Sequence, residues 1–180
     1  MNEAIELTRE LTAIQIPDGT PLTVPAATKG WIMQVLGGNF TVRLETGHLV
    51  RVDGKDAAAI GQEAPVTAAS EAINPGDVEQ NIWAQLRTIF DPEIPVNIVD
   101  LGLIYGLSVK DQVDEPGKAV EVTMTLTAPG CGMGQVLKDD VESKVKGVAG
   151  VSSAKVELTF DPPWGPDRMS EEAQLELGFY

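Results

Sequence analysis

The sequence predicts an α+β protein in two parts, a small all-β module followed by an α-β-β-α-β-α domain on a three-stranded mixed sheet. Three observations carry that prediction. Short apolar runs separated by glycine turns fill the first third of the chain. Beyond residue 100, stretches alternate apolar and polar residues as strands do. Apolar residues also recur at helical spacing before, between and after those stretches.

The β-module occupies residues 1–62. Its runs WIMQVL (31–36), FTVRL (40–44) and HLVRV (48–52) are divided by Gly-Gly-Asn and Glu-Thr-Gly, which read as a meander or small barrel. Pro17, Pro21 and Pro25 suit extended connections before it. Residues 63–76 are small, polar and proline-punctuated, as a linker is.

The second domain spans 77–180. Val78, Ile82, Leu86, Ile89 and Phe90 predict an amphipathic helix over 77–90, ended by Asp91-Pro92. Leu103, Tyr105, Leu107 and Val109 alternate, and after a polar turn over 110–118 so do Val120, Val122, Met124 and Leu126. Leu137, Val141, Val145 and Val148 form a second helical stripe. Ala154, Val156, Leu158 and Phe160 predict one face of a third strand, and Ser170 an N-cap for a short acidic helix. The first two strands form a hairpin, and the strand-helix-strand crossover makes the last two parallel.

Composition narrows function. The 180 residues carry a formal charge of −14, with −3 in residues 1–70 and −11 in 71–180. Phosphate grip needs clustered Lys and Arg, so nucleic acid is not expected as a partner. The acidic half is either a solvated surface or a face for a basic partner protein. No apolar run approaches the roughly 20 residues that span a bilayer, and the mixed charges of the N-terminus exclude a signal core. A soluble cytoplasmic protein without membrane contact is expected, and one cysteine in the whole chain agrees with a reducing compartment.

That cysteine, Cys131, stands in Thr127-Ala128-Pro129-Gly130-Cys131-Gly132-Met133-Gly134, between a strand and a helix. Glycines let another molecule approach the sulfur, and a helix N-terminus favours a thiolate, the form that ligates metals and attacks electrophiles. The competing reading is a small buried apolar side chain. Thiol catalysis also needs a base, and the single histidine, His48, falls in a turn of the β-module. A catalytic thiol enzyme is therefore disfavoured.

Several motifs then occur jointly and in order: Asp91-Pro92-Glu93-Ile94-Pro95, Asn97 to Tyr105 around Asp100-Leu101-Gly102, Leu126 to Cys131, and Phe160-Asp161-Pro162-Pro163-Trp164. Together, over 77–180, they resemble the PaaD-like metal–sulfur cluster assembly family. The first half, with Gln34-Val35-Leu36-Gly37-Gly38 and Leu49 to Ala57, looks like the extension of its SufT subgroup. The resemblance implies a non-enzymatic auxiliary factor that helps assemble iron–sulfur clusters or transfer them to apo-proteins. It places the functional thiol at Cys131 and maps its Asp-Pro-Glu and Asp-Leu-Gly elements onto Asp91, Glu93 and Asp100; Cys131 and Glu93 are the candidate metal ligands, and Asp91, Asp100, Thr127, Gly130 and Trp164 further functional candidates. Gly132-Met133-Gly134 departs from members that carry bulkier or more polar residues there. For Asp91, Glu93 and Asp100 a turn or cap is the competing role, and for Trp164 a packing plug. Clusters usually take about four thiolates. A transient cluster or iron ion would thus be shared with a second chain in a homodimer, completed by carboxylates such as Glu93, or completed by a small thiol or a partner. The expected partners are cluster-assembly proteins and apo-protein clients. The rival function is an adaptor that docks such machinery through its acidic surface, with Cys131 incidental.

Overall fold

The structure, a computed structural model, describes residues 3–65, 76–113 and 115–179. The chain divides into two compact units, Met1–Thr67 and Ala68–Tyr180. Most of the stretch expected as a linker, 66–75, lies outside the described residues.

The first unit is a six-stranded antiparallel sheet. Its strands are β1 (Glu3–Glu6), β2 (Leu11–Ile16), β3 (Pro21–Val24), β4 (Lys29–Leu36), β5 (Asn39–Leu44) and β6 (Leu49–Asp53), in the order β1-β4-β5-β6-β2-β3. The expected meander is β4-β5-β6. Three further strands precede it, of which only β3 lies in the proline-rich stretch expected as extended connections. Pro21 opens β3, an edge strand, where a missing N–H breaks no ladder. A 3-10 helix, Gly54–Ile60, is N-capped by the Asp53 side chain and covers the inner face with Ala57, Ala59 and Ile60. With Ile5, Leu11, Ile32, Phe40, Val42 and Val50 these make one apolar core.

The second unit follows the expected order: α1 (Val78–Leu86), β7 (Ile104–Asp111), β8 (Lys118–Met124), α2 (Gly134–Lys146), β9 (Val151–Leu158) and α3 (Glu171–Leu177). β7 and β8 pair antiparallel, β8 and β9 parallel. Val120, Val122 and Met124 of β8 meet Leu137, Val141 and Val145 of α2 in a second core. The Ser170 side chain accepts from the Ala173 N–H and caps α3.

Three details correct the sequence reading. Helix α1 stops at Leu86 rather than near 90, because turns at Arg87–Thr88 swing Phe90 into a bridge with Asn97. Ile89 stays buried without helix around it. A register shift between Ile104 and Gly106 turns Ile104, not Tyr105, toward the core. Phe160 lies past the end of β9 and is 44% exposed, so it closes no strand face.

Candidate functional site

The cysteine loop leaves the end of β8. The chain turns sharply at Pro129-Gly130, where the Cys131 N–H donates to the Ala128 carbonyl at 3.4 Å. Proline at the second turn position and Gly130 at φ 82° in the third are what a type II turn requires. The turn residues Ala128 to Gly130 and Gly132 are exposed, while Leu126 before them and Met133 after them are buried. Gly134 opens α2 so close to Leu126 that a Cβ there would overlap the leucine side chain. The loop is thus fastened at both ends and open in the middle. Cys131 is half-buried there, a free thiol packed against the core edge.

Helix α2 has no side-chain cap and no acidic residue in its first turn. Its leading N–H groups and positive dipole end therefore meet no capping side chain and no first-turn carboxylate of their own helix. The Cys131 carbonyl takes the Gly134 N–H at 3.0 Å, which ties the cysteine backbone to that helix end. Thr127 is half-buried on the strand side of the loop. Two residues earlier, Thr125 is fully buried and its hydroxyl has no hydrogen-bond partner, a feature no spacing in the sequence signals.

Asp91 is 4% exposed, and its carboxylate accepts the N–H groups of Glu93 (2.9 Å) and Ile94 (3.2 Å). Burial pushes its pKa up from 3.8, against the pull of those two N–H groups. Its fold contribution is the turn, and it holds Glu93 out on the surface. The folded state binds the Asp91 proton more tightly than the unfolded chain does. Its stabilising contribution is complete below the ordinary carboxylate value and lost as pH rises through the raised one. In Asp91→Asn the amide oxygen still accepts both N–H groups. Urea midpoints measured across the acidic range should then fall less with rising pH than in the parent chain, and an unchanged slope would contradict the assignment.

Asp100 and Trp164 belong to a different construction. The Asn97 side chain donates to the Asp100 carboxylate at 2.5 Å and accepts the Val99 and Asp100 N–H groups. The Trp164 indole N–H donates to the Leu101 carbonyl at 2.7 Å, and the Ser170 N–H donates to the Asp100 carbonyl at 2.8 Å. The Asp-Leu-Gly and Phe-Asp-Pro-Pro-Trp motifs are therefore bound to each other. Nearby, the Tyr105 hydroxyl donates to the Pro162 carbonyl at 2.8 Å and the Arg168 guanidinium sits 4.6 Å above the Tyr105 ring. They border an open cleft of about 790 Å³ with Thr123, Thr159, Asp161 and Asp167. Sequence reading missed this cleft, since nothing in the spacing joins Tyr105 to Arg168.

His48 is exposed and shares a 2.9 Å hydrogen bond with Thr46. The unit that holds Cys131 contains no histidine. Among the described residues, no three His, Cys, Asp or Glu side chains converge as a metal site. The loop offers iron a single thiol, so four-coordination needs donors from elsewhere.

Known proteins match this second unit. Residues 79–158 fit the family model described as iron–sulfur cluster assembly protein. A Porphyromonas gingivalis protein named Fe-S protein maturation auxiliary factor is 52% identical over 101 residues, 56% of this chain and 91% of that relative. The chain belongs to the iron–sulfur cluster assembly protein family. Another member, the Staphylococcus aureus Fe-S protein maturation auxiliary factor SufT, is 36% identical over 90 residues, 50% of this chain and 97% of its own. A Bacillus anthracis crystal structure of a domain of unknown function, DUF59, superposes with a TM-score of 0.50 at 33% identity, covering 57% of this chain and 93% of that one. The motif resemblance and the α+β class are borne out. The family match begins at residue 79, after the six-stranded unit ends. No helix among the described residues is long and apolar enough to cross a membrane.

Proposed function

We propose that this chain is a non-catalytic auxiliary factor of iron–sulfur cluster maturation, which holds iron or a cluster transiently as cargo through Cys131 and passes it to apo-proteins. The observation that carries the reading is the half-buried thiol between exposed turn residues at an uncapped helix end. A thiol so placed is reachable from outside, and its backbone is held still. That no further donors converge on it among the described residues fits cargo better than a resident cofactor. The remaining ligands come from a second copy, a small thiol, or the protein that delivers or receives the cargo. Glu93, exposed on the Asp91 turn, is the chain's own candidate for an auxiliary oxygen ligand. Asp91 and Asp100 act by shaping turns, and Trp164 by fixing the segment after β9. The names of the relatives support an auxiliary role, and a cytoplasmic location follows from it.

The rival adaptor role, with Cys131 incidental, is equally consistent with the absence of converging donors among the described residues. Anaerobic incubation with ferrous iron, sulfide and a small thiol separates the two. The parent chain should gain visible charge-transfer absorption and Cys131→Ser should lose essentially all of it. Equal spectra from both would leave the adaptor role standing and remove the ligand role of Cys131.

A further inference from the structure

We propose that the cleft beside Tyr105 and Arg168 binds a small zwitterion, a free α-amino acid, with its carboxylate on the Arg168 guanidinium and its ammonium on Asp161 and Asp167. The cleft lies wholly within the second unit, and the proposal does not depend on what Cys131 carries.

The guanidinium is placed by its surroundings. It lies over the Tyr105 ring, whose hydroxyl is tied to the Pro162 carbonyl. The Arg168 backbone rests on Gly102 so closely that a Cβ there would overlap it. Arg168 makes no ion pair among the described residues, so its N–H donors remain for a ligand. Asp161 and Asp167 are the other charged groups on the cleft wall. Asp167 precedes Arg168 in the chain, yet the two do not pair. Neither carboxylate has a partner among the described residues, since the bonds of Asp161 to Thr159 run through its backbone. The sheet side of the cleft is polar. Thr123 and Thr159 line it, and Thr125 is the next residue of this face. Met124 is in the core and Leu126 lies against Gly134 of α2, so Thr125 between them falls on the side of Thr123. Its orphaned hydroxyl continues the row of hydroxyls under the segment after β9.

Charge selects the class of ligand. The net charge of −14 repels a simple anion, and the guanidinium on the wall repels a simple cation. A zwitterion carries no net charge for the −14 to act on, and it offers a partner to each of the three groups. An α-amino acid holds its ammonium and carboxylate on one carbon, which suits a carboxylate and a guanidinium that share one wall without pairing. Glu121 and Glu157 stand on the same sheet face, but Lys110 and Lys155 already pair with them. A cleft of about 790 Å³ also leaves room for the amino acid's side chain.

The test uses the full chain, isotopically labelled for NMR of backbone amides and arginine side chains. The probes are alanine, N-acetylalanine, which lacks the ammonium, and alaninamide, which lacks the carboxylate. Alanine should shift the amides of Tyr105, Thr123 and Thr159 and the Arg168 Nε–H, and the shifts should saturate. Each blocked analogue should bind at least about tenfold more weakly, the scale of losing one charged hydrogen bond. Arg168→Gln should weaken alanine by a similar factor. Lys110→Gln, with the same change in net charge on β7 outside the cleft, should leave it unchanged. Asp161→Asn combined with Asp167→Asn should weaken alanine yet let N-acetylalanine bind more tightly than the parent chain does. That double variant keeps the test decisive if Arg168→Gln disturbs the fold. An analogue that binds as well as alanine would overturn the proposal, because the cleft would then be a plain anion or cation site. So would the absence of saturable shifts at tens of millimolar alanine, or equal losses in Arg168→Gln and Lys110→Gln.

Discussion

Replacing Gly102 with alanine should destabilise the cysteine-bearing unit by about 3–5 kcal/mol, from backbone strain together with lost packing. Gly102 sits at φ 72°, in the left-handed region, which costs an alanine about 1–2 kcal/mol. A Cβ there would also overlap the backbone carbonyl of Arg168. A carbonyl cannot rotate aside as a side-chain tip can, so the segment after β9 must lift. Lifting it breaks the Trp164 to Leu101 and Ser170 to Asp100 hydrogen bonds, each worth about 1 kcal/mol net. It also uncovers Met169, now 5% exposed in the core. Urea unfolding should show a lower midpoint at unchanged slope. A loss below about 1 kcal/mol would mean that the segment does not rest on Gly102, since strain alone accounts for that much.

This contact explains why two motifs separated by more than fifty residues occur together in the chain. The Asp100-Leu101-Gly102 turn and the Trp164 segment are packed together, joined by the Trp164 to Leu101 hydrogen bond and by the close approach of the Arg168 carbonyl to Gly102. From the sequence they looked like candidate site residues, because a polar residue beside glycine or proline reads the same in a turn as in a site. What was legible was periodic. Val120, Val122 and Met124 alternate, and Leu137, Val141 and Val145 recur every four residues; all six are at most 1% exposed. Where a bulge or a turn interrupts the period, phase was lost, as at Tyr105 and at Phe90. The strands β2 and β3 escaped because their prolines stand at an edge and in the turn between them, where proline is tolerated. At the site, the strand-to-helix placement of Cys131 and the Pro129-Gly130 turn were legible from residue type alone. The burial of Met133 and the orphaned Thr125 hydroxyl were not, because both depend on what packs over the loop.

Met133→Ala should cost about 2–5 kcal/mol and raise the reactivity of Cys131 as well. Met133 is fully buried although it lies in a glycine-rich loop, and its carbonyl accepts the Leu137 N–H at 2.9 Å to start α2. It is the only large apolar side chain between the turn and the helix, so its burial anchors the helix end of the loop. Truncation leaves a cavity beside the first helical turn, and the Gly134 to Cys131 hydrogen bond then closes on a looser loop. Cys131 would move from half-buried toward exposed, and alkylation by a small reagent should quicken several-fold under conditions where the chain remains folded. Gly130→Ala is the counter-case. Its added Cβ meets nothing within 4 Å, so only the cost of φ 82° applies, about 1–2 kcal/mol. If Met133→Ala left stability and alkylation rate as they are, the loop would be held by its glycine and proline geometry alone. The thiol would then owe its position to the turn rather than to packing.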